Sequence, residues 1–166
     1  IRTTDARTNQ TTYAYDVANR RISMTDANNG ITRYAYDMDS NLVSVTDPLG
    51  HDTTYRYDLR DRLTSTIDSA GGTTRFGYDF NNNLTSLIDP AGNATFLGYD
   101  ARDRVVRETD PLGKVTRYQY DSVGNVIGVI DRNLQAMTYA YDDLNRSITE
   151  TWIGGGNIVT SAYDKV

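Results

Sequence analysis

The sequence predicts an all-β fold, a repeat array of antiparallel β-hairpins that forms a curved or spiralling sheet. The first observation behind this prediction is the dipeptide Tyr-Asp, which recurs at a step of 21 residues six times and then once at 22. The second is a further aspartate 11 residues after each repeat tyrosine from Tyr15 to Tyr120. A fixed period of this length is typical of repeat architectures. No segment keeps a helical period over three turns, so we expect almost no helix.

The repeat tyrosines close strands of the pattern Tyr-x-Tyr, in which Thr, Tyr and Tyr share one face because side chains alternate along a strand. One repeat is too small to bury its own tyrosines, so neighbouring copies are expected to interlock them as a core. Replacing a fully buried tyrosine by alanine should then cost about 3–5 kcal/mol. The predicted core tyrosines are Tyr15, Tyr36, Tyr57, Tyr78, Tyr99, Tyr120, Tyr141 and Tyr163.

Each repeat contains two chain reversals, one opened by the Tyr-Asp aspartate and one by the second aspartate. Aspartate at the first turn position accepts hydrogen bonds from backbone N–H groups two or three residues on, and proline suits the second position. The fourth position takes a positive φ, which glycine accepts freely. All three prolines fall at this one phase. The predicted turn-forming residues are Asp26, Asp47, Pro48, Gly50, Asp68, Gly71, Asp89, Pro90, Gly92, Asp110, Pro111, Gly113 and Asp131.

The second strand of each repeat is β-branched and about six residues long, as in residues 41–46 and 125–130. Reversals every 10 or 11 residues give two strands per repeat, hence roughly 14 to 16 strands in a meander. We therefore expect one array over residues 1–166, with seven to eight repeats. Because the chain begins inside a repeat, we also expect it to be a fragment of a longer protein.

The last unit departs from the pattern. Trp152 stands at the position of the second aspartate, and the glycines 154–156 follow with one inserted residue. One interpretation is a decayed repeat with a floppy turn. The other is an exposed tryptophan used for surface contact.

Composition and charge narrow the range of functions. The net charge of −5 argues against a nucleic-acid backbone or an anionic membrane surface as partner. No apolar stretch reaches the roughly 18 residues that a membrane span needs. There is no cysteine, so neither a disulfide framework nor a catalytic thiol is available.

We expect no enzyme activity and no cofactor. Nearly every aspartate is explained by a turn, where a solvated carboxylate has no reason for a raised pKa. The single histidine, His51, also lies in a turn. The run from Asp37 through Asp39 to Asn41 matches the opening of a calcium loop, but Pro48 stands where the bidentate acid belongs. Calcium binding there would be adventitious. Glycan binding is the stronger alternative, because tyrosine rows rimmed by Asn, Asp and Arg resemble surfaces on which sugars stack.

The consensus Tyr-x-Tyr-Asp-x-x-Gly/Asn-Arg/Asn-Leu, followed by Asp-Pro-x-Gly, resembles the YD repeat of the Rhs family. Residues 55–63 and 118–126 carry the pattern best. The resemblance implies a β-sheet that spirals into a hollow shell. Such a shell encloses a toxic C-terminal domain in bacterial Rhs proteins and in the B–C parts of Tc toxins, and a similar one serves adhesion in teneurins. Related wall-associated proteins lie on bacterial surfaces.

These expectations combine into a structural hypothesis. The chain is expected to be a non-catalytic wall segment of a secreted or cell-surface bacterial protein that encloses or displays a toxin domain. Its expected partners are neighbouring repeats of the same or an identical chain and an enclosed C-terminal domain. The alternative is an adhesive, glycan-binding module. Open sheet edges would template end-to-end association, including filaments.

Overall fold

The computed structural model describes residues 1–4, 10–153 and 158–163, and these residues form sixteen β-strands and no helix. The all-β class and the predicted strand number are therefore confirmed. The strands are β1 Arg2–Thr4, β2 Gln10–Tyr15, β3 Arg21–Thr25, β4 Ile31–Tyr36, β5 Leu42–Thr46, β6 Asp52–Tyr57, β7 Leu63–Ile67, β8 Thr73–Tyr78, β9 Leu84–Ile88, β10 Ala94–Tyr99, β11 Val105–Thr109, β12 Val115–Tyr120, β13 Val126–Ile130, β14 Ala136–Tyr141, β15 Ser147–Ile153 and β16 Ile158–Thr160.

The chain divides into two compact units, residues 1–76 with 88–92 and residues 77–87 with 93–166. In the first unit each strand from β1 to β8 pairs antiparallel with its neighbour in sequence. In the second unit the same holds from β10 to β16. Each unit is thus a meander of hairpins, as the regular spacing of the reversals predicts.

The two faces of a tyrosine strand differ in exposure. In β4, Thr32, Tyr34 and Tyr36 are half-buried, whereas Arg33 and Ala35 are exposed. The pattern repeats in β12, where Arg117 and Gln119 are the exposed pair. The tyrosines of a strand therefore lie on one face, which we call the tyrosine face.

A β-bulge recurs just before the repeat tyrosine, and the sequence analysis did not predict it. Between β4 and β5, Ala35 faces Ser44 but Tyr36 faces Leu42, so Val43 is the extra residue. Directly paired residues share a face, and Val45 pairs with Tyr34. The bulge therefore brings two apolar residues three positions apart onto the tyrosine face. The same shift precedes Tyr15, Tyr57, Tyr99, Tyr120 and Tyr141.

In the described part of the chain the repeat tyrosines do not meet the condition of full burial on which the loss of about 3–5 kcal/mol depends. Among the described residues no hydrophobic side chain is buried, and Tyr15 and Tyr163 are 38% and 46% exposed. The six repeat tyrosines between them are half-buried. The physical reason is that, in the described part of each unit, the strands pack side by side against their neighbours in chain order. A meander of this kind supplies no second layer against which the tyrosine face could pack.

Tyr120→Ala is therefore expected to lower the free energy of unfolding by about 2–3 kcal/mol. A half-buried ring contributes less to stability than a fully buried one, and the substitution also removes one hydrogen bond. Urea denaturation followed by circular dichroism measures it. Leu112→Ala is the control, because Leu112 is 81% exposed and should change stability by less than about 0.5 kcal/mol. Equal effects of the two substitutions would contradict the assignment.

Candidate functional site along the Tyr-Asp turns

Each reversal is built around an aspartate whose carboxylate binds the backbone ahead of it. In the turn that begins at Asp47, Oδ1 accepts the N–H of Leu49 at 2.8 Å and of His51 at 2.9 Å. The Gly50 N–H donates to the Asp47 carbonyl at 3.0 Å, and the Asp47 N–H donates to the His51 carbonyl at 3.0 Å. The captured N–H groups of this turn are thus two and four residues on, and in the Asp121 turn the N–H of Gly124, three residues on, also donates to Oδ1 at 2.7 Å. This pattern matches hairpins built on a type I turn followed by a left-handed residue.

The fourth turn position has positive φ throughout the described reversals, and all the turn residues predicted from Asp26 to Asp131 lie in such reversals. Gly50, Gly71, Gly92 and Gly113 hold this position at no steric cost. Leu134 holds it with φ of +66° and is 77% exposed. A side chain in the left-handed region costs roughly 1–2 kcal/mol, so this turn is strained.

Hydrogen bonds hold the pKa values of three turn aspartates, Asp16, Asp58 and Asp100, below their usual range. The Arg62 guanidinium, through its side-chain hydrogen bond, lowers the pKa of Asp58 to about 2, and Arg104 does the same to Asp100. The pKa of Asp16 is also lowered, chiefly by the backbone N–H of Arg20. Such carboxyl groups are ionised at neutral pH and have no proton to donate. The arrangement therefore suits turn formation and not general acid catalysis.

Six of the repeat tyrosines also bind the preceding repeat. The Tyr57 hydroxyl donates to the Leu42 carbonyl, 15 residues earlier, at 3.0 Å. The equivalent bonds join Tyr36 to Arg21, Tyr99 to Leu84, Tyr120 to Val105 and Tyr141 to Val126, and Tyr163 reaches Ser147 across the inserted residue. These six predicted core tyrosines thus act as cross-repeat hydrogen-bond donors as well as packing groups.

The residue after the left-handed position alternates strictly between arginine and asparagine in the Tyr-Asp turns. The series is Arg20, Asn41, Arg62, Asn83, Arg104, Asn125 and Arg146. The sequence analysis missed this alternation, although a 42-residue period in the printed sequence reveals it.

In the arginine turns the guanidinium connects one reversal to the next. Arg104 Nε donates to Asp100 Oδ2 at 2.8 Å, and Nη1 donates to the Asp121 carbonyl at 3.0 Å. Its Cζ lies 4.4 Å from the centroid of the Tyr120 ring, a cation–π distance. Arg20 makes the same set of contacts, with its Cζ 4.9 Å from the Tyr36 centroid.

In the asparagine turns a side-chain amide makes the connection. Asn41 Nδ2 donates to Asp37 Oδ2 at 3.2 Å and to Asp61 Oδ1 at 2.7 Å. Asp61 is the left-handed residue of the following turn. Asn83 donates to Asp103 and Asn125 to Asn145 in the same way. The residue at the left-handed position is therefore matched to the asparagine one repeat earlier.

A depression of about 640 Å³ lies beside Tyr57 at one of the asparagine turns, and Asp37, Asp39, Asn41, Asp58 and Asp61 are among the residues that line it. A smaller depression of about 360 Å³ lies in the second unit around Gly128. Within the described ranges no group of three or more acidic or histidine side chains is arranged to hold a metal ion. The Asp37 carboxylate is engaged with the backbone and side chain of Asn41.

The remaining candidates from the sequence lie apart from these features. His51 Nδ1 is 2.8 Å from Asp47 Oδ2 within its own exposed turn. Trp152 is half-buried, not exposed, and its Nε1 donates to Glu150 at 2.9 Å. A contact role for Trp152 stays a prediction. The glycines 154–156 lie outside the described residues.

Comparison with family models identifies the repeat. A model described as Teneurin YD-shell matches residues 49–165, and one described as RHS Repeat matches residues 1–31 and 22–52. Comparison with curated proteins found no match. Over the described residues the structure contains no helix long and apolar enough to cross a membrane.

Several solved structures share the fold. The crystal structure of TcdB2-TccC3-Cdc42 has a TM-score of 0.72 at 16% identity and covers 92% of this chain and 10% of its own. The crystal structure of TcdB2-TccC3 without the hypervariable C-terminal region has a TM-score of 0.72 at 15% sequence identity, and the match covers 92% of this chain and 9% of the matched chain. The structure of the Photorhabdus luminescens Tc holotoxin pore has a TM-score of 0.52 at 14% sequence identity, and the match covers 92% of this chain and 12% of the matched chain. At these identities the likeness concerns the fold alone, and the chain spans about a tenth of the matched chains.

Leu134→Gly is expected to raise the free energy of unfolding by about 0.5–1 kcal/mol, because it relieves the left-handed strain while adding freedom to the unfolded chain. Gly113→Ala is the matched control, because it adds a side chain at the same left-handed turn position instead of removing one. A Cβ there meets no atom within 4 Å, so its expected loss of about 1 kcal/mol comes from the backbone alone. Thermal or urea unfolding measures both. A destabilised Leu134→Gly variant would refute the strain.

Stability is expected to fall as the pH drops from about 4 towards 2. Asp58 and Asp100 have folded pKa values of about 2, below the reference value of 3.8. The unfolded chain therefore binds protons first, and the stabilisation present above pH 4 is lost on acidification. Urea midpoints across this range measure the effect. Arg104→Gln should raise the pKa of Asp100 in a carboxyl NMR titration and leave that of Asp58 unchanged. An unmoved Asp100 would contradict the assigned cause.

Proposed function

The chain belongs to the teneurin YD-shell family, and we propose on that premise that it is a non-catalytic wall segment of a secreted or cell-surface bacterial Rhs/YD-repeat protein. In this proposal the wall encloses or displays a toxin domain located C-terminal to the array. Residues 1–166 act as one array of seven to eight repeats.

The observation that carries the proposal is that the most regular side chains are used to hold repeat to repeat. The Tyr57 hydroxyl is bound to the previous repeat. The Arg104 guanidinium and the Asn41 amide are bound to the next one. Side chains that bind neighbouring repeats hold the repeats together as a continuous wall, and their hydrogen bonds serve this assembly. This supports a structural role over a catalytic one.

The half-exposed tyrosine face supports the proposal that another part of the protein covers this side of the wall. No hydrophobic side chain among the described residues is buried, yet large apolar surfaces are rarely left open to water in a finished protein. We infer that an enclosed domain or other parts of the same shell cover this face.

Two further expectations stay predictions. Glycan adhesion is the alternative that this proposal opposes. End-to-end association through open sheet edges is compatible with the wall role, since strand edges template pairing with another copy.

The proposal is tested on the full-length protein by limited proteolysis. The domain C-terminal to the array is expected to resist trypsin in the native protein and to be cut rapidly when the repeat contacts are weakened by Arg20→Gln, Arg104→Gln and Arg146→Gln together. The exposed substitution Leu112→Ala is the control and should leave protection intact.

Rapid cleavage of that domain in the unaltered, folded protein would overturn enclosure. A glycan array provides the second arm. Saturable binding of a glycan that is lost on replacing Tyr120 by alanine, in a variant that remains folded, would favour the adhesive alternative instead.

A further inference from the structure

The depression beside Tyr57 lies where other repeats of this chain hold an arginine side chain. We call it the Tyr57 socket and define it by Asp37, Asn41, Tyr57, Asp58 and Asp61. The asparagine at its base is the counterpart of Arg20 one repeat earlier and of Arg62 one repeat later. The chain itself therefore provides the comparison that identifies what fits the space.

Arg20 gives the contacts in detail. Its Nε donates to the Asp16 carboxylate at 2.7 Å, and its Nη1 donates to the Asp37 carbonyl at 3.0 Å. Its Cζ is 4.9 Å from the centre of the Tyr36 ring. Arg104 and Arg146 stack on the next repeat tyrosine at 4.4 and 4.5 Å. A carboxylate, a carbonyl and an aromatic ring thus form the guanidinium cradle of the arginine turns.

The same three groups recur 21 residues later, but no arginine of the turn occupies them. They are the Asp37 carboxylate, the Asp58 carbonyl and the Tyr57 ring. Asn41 binds Asp37 Oδ2 at 3.2 Å and Asp61 Oδ1 at 2.7 Å. Its amide is too short to reach the ring as a guanidinium does, and the depression of about 640 Å³ is the space that remains.

Charge favours a cation in this space. Asp37, Asp39, Asp58 and Asp61 line it, against Arg56. Asp58 is also paired with Arg62 at 2.7 Å, which leaves the carboxylates in excess. An aromatic ring beside carboxylates attracts a flat, delocalised cation more than a neutral group.

The other asparagine turns provide less negative charge. In the Asn83 turn the residue equivalent to Asp39 is Asn81, and the Asp103 carboxylate already accepts both amides, at 2.9 and 2.6 Å. In the Asn125 turn the acceptor is Asn145 in place of an aspartate. The Tyr57 socket is therefore the most acidic of the three.

We propose that the Tyr57 socket binds the guanidinium group of an arginine side chain presented by a partner peptide. The guanidinium lies over the Tyr57 ring and donates to the Asp58 carbonyl and to the carboxylates of Asp37 and Asp61. The wall thereby carries a binding site for a basic segment. The site lies at an asparagine turn, where no arginine of the turn fills the guanidinium cradle.

The test uses N-acetylarginine amide as the probe and backbone amide NMR shifts of the chain as the readout. Saturable shifts confined to residues around Tyr57 and Asp61 are expected. N-acetylcitrulline amide, which has the same shape without the charge, is expected to bind at least about tenfold more weakly. Equal binding of the two probes, or shifts that do not saturate, would overturn the proposal.

Three variants separate the socket from general attraction to an acidic protein. Asn41→Arg supplies the guanidinium from within and should abolish the shifts. Asp61→Asn, which reproduces the Asn145 arrangement, should weaken binding about tenfold while preserving the fold. Arg20→Asn opens the Tyr36 cradle, but Ala18 and Ser40 stand there in place of Asp39 and Asp61, so no comparable shifts around Tyr36 are expected. Undiminished binding by a folded Asn41→Arg variant would show that the probe lies elsewhere and would refute the proposal.

Discussion

The structure depends on one interaction, the capture of backbone N–H groups by the carboxylate of the residue that opens each turn. In the first turn, Asp16 Oδ1 accepts the N–H groups of Ala18 and Arg20, while Oδ2 receives the Arg20 side chain. The same residue that reverses the chain therefore aims the side chain that reaches the next repeat. Local turn chemistry and long-range connection are products of one carboxylate.

The part of the chain that the structure describes has no hydrophobic interior of its own. Hydrophobic burial normally dominates folding, yet no hydrophobic side chain among the described residues is buried. Within each unit, stability comes from strand ladders, from half-buried tyrosines and from hydrogen bonds such as that of Tyr57 to Leu42. Each of these connects one repeat to its neighbour, so the stability of a unit is a sum of nearest-neighbour terms.

Features set by local chemistry were predictable from the sequence, and features set by a distant partner were not. The strand class, the reversals and the positive φ after Asp47 follow from residues within a few positions of one another. The bulge at Val43 depends on the register of the opposite strand, and half-burial of the tyrosines depends on whether another layer exists. The Tyr57 socket escaped notice because it is a difference in reach between Asn41 and its arginine counterparts. This difference is evident only when an arginine turn is compared with an asparagine turn.

The arginine–asparagine alternation has a consequence for how such a gene can change in length. Asn41 needs an acceptor on the left-handed residue of the next turn, and Asp61 provides it. After an arginine turn that position holds Ser40, Asn82 or Gly124. Deleting or duplicating a single 21-residue copy would place two asparagine turns or two arginine turns next to each other, whereas a 42-residue step would preserve the alternation. Unequal recombination should accordingly leave its trace in even numbers of copies, so that the heritable module is twice the size of the visible repeat.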